Sequence, residues 1–349
     1  MFSPSSLLMV SMAWFRRGKK KKEEEEFDGV GALAVIIPAL NEEKNIAAAI
    51  RSALEDRNRG EEKKGGRERG ILGRPDRDRD GVEVVVVDGG SSDATVAAAR
   101  GAGAHRVLRC ATRGRGAQIA AGVAAVGVGG GRSAAALSSP PSDDSFFLPP
   151  RRRRRKPDTL LFLHADSRLP RDYRASISRA LLPPHSPRGA SAPPRSSWGA
   201  FETVSPTGLR PAAAAALLSA GVALRTRLLG LPYGDQAIFV SVAALERVGG
   251  VRPLPLMEDV DLVERLTLAG REEERREARG KGRKEEGGGG GGGRVNARPA
   301  VARGAVVTSG RRWAERGLVR TTLRNLWTLA RWKSGSASAE ELAREYYRR

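Results

Sequence analysis

Short apolar runs recur along the chain and predict buried β-strands. The most regular run is Val82–Val87, in which five valines and one acid precede the turn Asp88-Gly89-Gly90. β-Branched side chains are stiff at χ1 and fit a pleated surface, so this run predicts a strand buried on both faces. Apolar runs of the same kind predict further strands at 32–37, 107–110, 159–163, 198–204, 237–240 and 301–307.

Segments with helical spacing lie between these strand runs. In the first, Asn41 can cap a helix that begins at Glu42 and repeats apolar residues at Ile46, Ile50 and Leu54. Alternating strands and helices are typical of α/β folds, so we predict a Rossmann-type, mostly parallel sheet flanked by helices. The predicted helices span about 42–54, 94–100, 113–126, 171–182, 212–229, 256–269 and 313–332.

One predicted helix raises the question of a membrane span. Residues 212–229 are apolar on most sides, but Arg225 and Arg227 lie within them. These charges favour a buried or interfacial helix over a spanning one, so at most peripheral contact with a membrane is expected.

Stretches of biased composition interrupt the regular pattern. They are rich in Gly, Ser, Pro or mixed charge and show no apolar period, so we predict low-complexity, disordered inserts. The remaining pattern predicts a single domain at 31–335 between a basic and acidic N-terminal segment, 1–30, and a C-terminal tail, 336–349. The predicted inserts lie at about 56–80, 127–158, 183–195 and 271–294.

Composition narrows the functional classes. The net charge of +21 could attract nucleic acid, anionic lipid or a phosphorylated substrate, although part of it is concentrated in the run Arg151–Lys156. The single cysteine, Cys110, excludes an internal disulfide and a cysteine-based metal cluster. Residues 1–22 place their charges after a short apolar stretch, which is the wrong order for a secretory signal. We therefore expect a cytoplasmic protein, or an organellar one if this segment is a transit peptide.

Acid-bearing turns follow three of the predicted strands. Asn41-Glu42, Asp88 and Asp166 each stand directly after an apolar run. Since parallel strands bring their carboxyl ends to one edge of a sheet, we expect these side chains to lie close together. Oxygen ligands at such an edge suit Mg²⁺ or Mn²⁺ holding a diphosphate. A further acidic pair, Glu258-Asp259, begins a predicted helix and could supply a general base.

Five motifs, taken in order, resemble those of family 2 glycosyltransferases with the GT-A fold. The resemblance covers about residues 32–335 and is closest to the small stand-alone subgroup associated with radical-SAM/selenodomain proteins. The motifs are Ile36-Ile37-Pro38-Ala39-Leu40-Asn41-Glu42, Asp88-Gly89-Gly90-Ser91-Ser92-Asp93, Leu163-His164-Ala165-Asp166, Tyr233-Gly234-Asp235-Gln236 with Met257-Glu258-Asp259, and Ser309-Gly310-Arg311-Arg312-Trp313.

The resemblance implies an enzyme of the hexosyltransferase type, EC 2.4, that moves a sugar from a nucleoside diphosphate to an acceptor hydroxyl. Asp259 would be the general base beside Glu258, and the anomeric centre would be inverted. Asp166 would be the metal ligand, because His164 replaces the first acid of the family's Asp-any-Asp motif. The nucleotide sugar would contact Pro38, Glu42, Asp88, Gly89, Arg115 and Asp166. The acceptor and diphosphate would contact Asp235, Gln236, Arg311, Arg312 and Trp313.

Other interpretations remain compatible with the same residues. Asp88 and Asp166 could simply form or cap turns, and Glu258 or Asp261 could be the base in place of Asp259. The charge alone would also suit a protein that binds nucleic acid or an anionic surface, but aromatic residues for base stacking total only 5%. A catalytically degenerate relative is a further alternative. A nucleotidyltransferase is disfavoured, because no Gly-rich basic loop follows the first strand.

Overall fold

The computed structural model describes residues 31–55, 81–128, 156–181, 196–280 and 296–347. The predicted N-terminal segment and the inserts at 56–80 and 183–195 lie outside the described residues. The same holds for most of the insert at 127–158, including residues 151–155 of the basic run.

A seven-stranded sheet with the order β3-β2-β1-β4-β6-β5-β7 forms the centre of the described chain. Strands β1 to β4 run parallel to one another, β6 is antiparallel to both β4 and β5, and β7 is parallel to β5. The strands are β1 Leu33–Ala39, β2 Val82–Asp88, β3 Arg106–Arg109, β4 Thr159–Phe162, β5 Trp198–Thr207, β6 Phe239–Ser241 and β7 Ala300–Ser309.

Helices cover both faces of this sheet. A single 3₁₀ turn, Gly234–Gln236, precedes β6. The helices are α1 Ile46–Leu54, α2 Thr95–Gly101, α3 Arg115–Ala125, α4 Tyr173–Leu181, α5 Ala212–Leu229, α6 Val242–Arg247, α7 Glu258–Gly280, α8 Arg311–Arg316, α9 Leu318–Lys333 and α10 Ala339–Tyr347.

Strands β1 and β2 are buried along their whole length. Because successive side chains of a strand point to opposite faces, Val85 and Val87 pack on the α3 side while Val84 and Val86 pack on the α1 and α4 side. This two-sided burial is what the valine-rich run predicts, and the α/β fold with a mostly parallel sheet is confirmed.

Three sequence predictions differ from the structure. Helix α7 continues to Gly280, into the predicted insert at 271–294, because its Glu and Arg residues favour a helix and Glu273 pairs with Arg247 at 3.0 Å. Helix α10 forms within the predicted tail. In α5 only Val222 and Thr226 are buried, so of the two expected settings, buried or interfacial, the buried one is wrong. Among the described helices, α5 is the one long and apolar enough to cross a membrane, with a mean hydropathy of 1.4.

Candidate functional site

A cleft of about 980 Å³ opens at the carboxyl ends of β1 and β4. It brings together residues that the sequence analysis singled out in separate motifs. Those lining it are Glu42, Arg115, His164, Asp166, Asp235, Asp259, Arg311, Arg312 and Trp313. The predicted convergence in one site is therefore present for Glu42 and Asp166, whereas Asp88 does not line the cleft.

The turns that follow β1 and β2 are tied to each other. Asn41 has a positive φ of 55°, which Asn tolerates better than most residues, and its Oδ1 accepts the backbone N–H of Ser92 at 2.9 Å. The N–H of Glu42 donates to Thr95 Oγ1 at 2.8 Å. The N–H of Asn41 donates to Ser91 Oγ at 2.9 Å. These bonds fix Glu42 at the rim of the cleft.

Asp88 lies beneath this rim, fully buried. Its carboxylate accepts the backbone N–H groups of Gly90 and Ser91 at 3.1 and 3.2 Å, and Arg109 Nε lies 3.5 Å from its Oδ2. The structure thus places Asp88 in a turn-forming role outside the cleft lining, and its contact with a nucleoside stays a prediction. Gly89, predicted beside it, donates its N–H to Ala39 at 2.9 Å and has the Gln118 amide packed against it.

Glu42 and Asp166 both line the cleft, and their charges interact. Burial raises the pKa of the Glu42 carboxyl, and the charge of Asp166 adds to that effect, although Asn45 and Arg311 oppose it. The Nη2 atom of Arg311 lies 4.0 Å from Glu42 Oε1. Arg311 therefore brings positive charge to the acidic side of the cleft.

Arg115 connects three motifs at the bottom of the cleft. Its Nε donates to Glu258 Oε1, and its Nη1 lies 3.2 Å from His164 Nε2. Arginine can only donate, so the Nε2 atom of His164 accepts and the ring is neutral. Burial and the charge of Arg115 hold the pKa of His164 well below its usual range. This contact occupies Nε2, one of the two ring nitrogens through which a histidine can bind a metal.

The glycines on either side of Arg115 explain how the side chain reaches this position. Gly114 has a φ of 119°, and a Cβ there would lie 2.9 Å from the backbone of Pro255. A Cβ at Gly116 would lie 2.5 Å from the carbonyl oxygen of Leu254. Only glycines permit this close approach, which holds the start of α3 against the segment before α7.

Asp259 is the one acid in the first turn of α7 that lines the cleft. Its Oδ2 accepts the backbone N–H of Gly234 at 2.8 Å. Glu258 is instead 2% exposed and paired with Arg115, and Asp261 is 4% exposed and paired with Arg252 and Arg265. The geometry favours Asp259 among the three candidate bases.

Gln236 and Asp235 occupy different environments although they are neighbours. Gln236 is fully buried, and its amide bonds to Thr226 and the carbonyl of Phe201 at 2.8 Å. Its Oε1 accepts from Arg225 at 2.8 Å, so Gln236 fixes the loop and does not reach the cleft. Asp235 does line the cleft, and its buried Oδ1 has no hydrogen-bond partner among the described residues.

The Asp235 carboxyl supplies a pH-dependent prediction. Burial raises its pKa above the ordinary value of 3.8, and Arg225 opposes this shift. Ionised Asp235 therefore costs stability at neutral pH, and that cost disappears as pH falls through the raised pKa towards 3.8. Asp235→Asn should raise the free energy of unfolding at pH 7 by roughly 1 kcal/mol, and the gain should shrink on acidification. Urea unfolding at several pH values measures it.

The exposed Glu246 offers a matched control for this measurement. Glu246→Gln removes an acid that lies outside the cleft, and no pH-dependent gain is expected from it. A gain for Asp235→Asn that stays constant with pH would contradict the assigned cause.

Asp166 is the predicted metal ligand. It accepts one hydrogen bond, from Ser167 at 3.3 Å, and forms no ion pair among the described residues. In the described part of the chain, no group of three or more His, Cys, Asp or Glu side chains is placed to hold a metal ion. Asp166 therefore fits a metal that takes one carboxylate from the protein and its other oxygens from substrate phosphates, a pattern usual for Mg²⁺.

The far wall of the cleft comes from residues that the sequence analysis missed. Tyr346 and Tyr347 of α10 line it together with Asn325 of α9. The hydroxyl of Tyr346 accepts from Arg312 Nη1 at 2.5 Å. Helix α10 is held there by Leu342 and Ala343, which pack in one cluster with Leu256, Met257 and Val260 near the start of α7.

The remaining predicted residues lie at the two ends of the site. Pro38 is buried under the cleft and lines a small cavity of about 20 Å³ shared with Glu258 and Gly234. Trp313 is half-buried and lines the cleft beside Arg312.

Residues 34–127 match the family model of glycosyl transferase family 2. This stretch contains β1 to α3, with the Asn41-Glu42 and Asp88 turns and Arg115. The match confirms the resemblance to this family over that part of the chain. No curated protein gave a significant match.

Several solved structures resemble the chain at low identity. A mannosyltransferase from Pyrobaculum calidifontis in complex with GDP-Man and Mn²⁺ is 16% identical, with 86% of this chain and 66% of that chain covered and a TM-score of 0.41. TarS residues 1–349 from S. aureus are 17% identical, with 67% and 54% covered and a TM-score of 0.34. Glucosyl-3-phosphoglycerate synthase from Mycobacterium tuberculosis in complex with Mn²⁺, uridine-diphosphate and phosphoglyceric acid is 16% identical, with 85% and 77% covered and a TM-score of 0.37.

The chain spans less than two thirds of the first two of these structures, with 66% and 54% of their lengths covered. At TM-scores this low, the likenesses support no conclusion about this chain.

Proposed function

We propose that this chain is a glycosyltransferase that moves a sugar from a nucleoside diphosphate to an acceptor hydroxyl with inversion and with the help of a divalent metal ion. The observation that carries the proposal is the cleft at the carboxyl edge of β1 and β4. It joins two interacting carboxylates, Glu42 and Asp166, to a separate carboxylate, Asp259, and to the half-buried Arg115. The family match at 34–127 supports the donor side of this assignment.

The donor would lie along the β1 and β4 edge. Its diphosphate carries negative charge that Arg311 and Arg115, which both line the cleft, can attract. A divalent ion bound at Asp166 would neutralise the charge that develops on the departing diphosphate. In this proposal Asp166 is the metal ligand from the protein, and Glu42 lies at the rim of the cleft near it.

The acceptor would approach from the side of Asp259. The Asp259 carboxylate is held by the Gly234 N–H, so this carboxylate needs little reorganisation to take the acceptor hydroxyl proton. The freed oxygen attacks the anomeric carbon, the bond from that carbon to the diphosphate oxygen breaks, and the nucleoside diphosphate leaves with the electron pair. Attack from the face opposite the leaving group inverts the anomeric centre.

There is no space for a side chain at Gly234, next to the proposed base Asp259. A Cβ on Gly234 would lie 2.9 Å from His164 Nε2 and 3.1 Å from Asp259 Oδ2. The absence of a Cβ thus leaves room for both side chains beside Gly234. Their shared place at this glycine supports a role for His164 as a polar neighbour of the base.

Donor and metal binding can be tested separately from chemistry. A nucleoside diphosphate that binds the native state should raise the melting temperature in the presence of Mn²⁺, by roughly 5 °C at saturating concentration. Asp166→Ala should lose the part of the shift that depends on Mn²⁺. Differential scanning fluorimetry with a panel of nucleoside diphosphates, with and without Mn²⁺, gives both values.

A control variant makes that result specific. Asp172→Asn removes an exposed acid that does not line the cleft, and it should keep the full shift. If Asp166→Ala also keeps it, Asp166 is not the metal ligand.

A further inference from the structure

A second pocket of about 250 Å³ adjoins the cleft on the side of α8 and α9. Four arginines line it, and each follows the previous one by four residues along the two helices. The arginines are Arg312, Arg316, Arg320 and Arg324. Its other lining residues are Thr321, Asn325 and Tyr346.

The charged residues that line this pocket are all positive. No carboxylate lines it, and none of the four arginines forms an ion pair among the described residues. Like charges four residues apart on a helix repel one another, and the first turns of α8 and α9 contain no acid. An anion in the pocket would relieve this repulsion.

A buried hydroxyl provides an independent sign of a ligand. Thr321 is 4% exposed, lines the same pocket, and its Oγ1 has no hydrogen-bond partner among the described residues. A buried hydroxyl without a partner is costly, so such groups normally face a ligand or water. A phosphate oxygen would accept its proton.

The orientation of two of the arginines is already set. Arg312 and Arg324 both lie against the Tyr346 ring, with guanidinium carbons 5.3 and 5.1 Å from its centroid. Arg324 Nη2 also donates to the backbone oxygens of Glu345 and Tyr346 at 2.7 and 2.9 Å. Planar guanidinium groups held in this way suit bidentate recognition of phosphate.

We propose that this pocket binds a phosphate group carried by the acceptor. The phosphate site is argued from the pocket itself, and only the identification of the bound molecule as a sugar acceptor rests on the proposed glycosyltransferase function. Arg312, Arg316, Asn325 and Tyr346 line both the pocket and the cleft, so a phosphate held here leaves the rest of the molecule in the cleft. The proposed donor groups, Glu42 and Asp166, do not line this pocket. A free phosphorylated compound and a phospholipid headgroup present the same chemistry.

The test compares the full-length wild-type protein with the full-length double variant Arg316→Gln/Arg320→Gln. A matched control, Arg303→Gln, removes an exposed arginine of β7 that lines neither the cleft nor the pocket. Isothermal titration with inorganic phosphate measures the free source, and co-sedimentation with phosphatidylcholine vesicles, with or without phosphatidic acid, measures the lipid source. A nucleoside diphosphate titration in the same samples reports the donor site.

The double variant should bind at least one of the two phosphate sources about tenfold or more weakly than the wild type and the control, since charge-assisted hydrogen bonds are lost. Loss confined to inorganic phosphate indicates a soluble acceptor, and loss confined to phosphatidic acid vesicles indicates a lipid one. Equal binding by all three proteins in both arms overturns the proposal. The wild type and the Arg303→Gln control should both bind a nucleoside diphosphate, and absence of that binding would count against the glycosyltransferase function and leave the pocket standing.

Discussion

Asp259→Asn is expected to lower the rate of sugar transfer by about 10²- to 10⁴-fold, the usual contribution of a positioned general base. An asparagine oxygen can still accept the Gly234 N–H that now bonds to Asp259 at 2.8 Å, so the shape of the site is kept. What is lost is the ability to take the acceptor proton. The measurement is release of nucleoside diphosphate from a panel of nucleotide sugars, with donor binding measured alongside.

Glu264 in the same helix serves as the control for this variant. It is half-buried, pairs with Lys333 at 3.5 Å and lines no part of the cleft. Glu264→Gln should change the rate by no more than about twofold, as is usual for a substitution outside the site. Wild-type turnover by Asp259→Asn would show that another group takes the proton.

Arg115→Met is expected to lower the free energy of unfolding by about 3–5 kcal/mol, because it leaves the buried Glu258 carboxylate without its partner. Glu258 is 2% exposed and its Oε2 already lacks a partner among the described residues. Burial raises the pKa of Glu258, and the charge of Arg115 opposes that shift. Chemical unfolding followed by tryptophan fluorescence measures the loss.

Two further variants separate the buried pair from an ordinary surface pair. Arg115→Met/Glu258→Leu removes both charges, and its stability should return to within about 1 kcal/mol of the wild type. Arg227→Met breaks an exposed pair with Glu202, and a change below about 1 kcal/mol is expected. A double variant as unstable as Arg115→Met would mean that packing, and not the unpaired charge, causes the effect.

The sheet and its acidic edge were predictable from the sequence because both follow from local patterns. Valine-rich runs specify strands buried on both faces, and parallel strands necessarily present their following turns at one edge. Asn41-Glu42 and Asp166 follow such strands, and this position alone predicts that they lie in one site.

The pairing inside the site could not be predicted in the same way. Arg115 and Glu258 are 143 residues apart, and nothing near either residue indicates the other. The burial of Gln236 likewise depends on Thr226 and Phe201, which only the tertiary fold brings to it. Hydrogen bonds between distant residues determine these roles.

One missed element did carry a local signal. Ser338 and Glu341 form a capping box, in which Glu341 accepts the Ser338 N–H at 2.8 Å and Ser338 Oγ accepts the Glu341 N–H at 3.2 Å. The pattern Ser-x-x-Glu before an apolar stretch predicts a helix start. The prediction of a tail at 336–349 therefore missed helix α10, which forms the far wall of the cleft.

The hydrogen bonds between the turns after β1 and β2 make those two segments a single mechanical unit. Ser91 donates its N–H to Asp88 and accepts the N–H of Asn41 on its hydroxyl. A ligand that draws Asp88 out of its turn must therefore displace Ser91, and with it the backbone that carries Glu42. A contact made at the buried end of β2 would in this way reach the backbone next to the carboxylate at the rim.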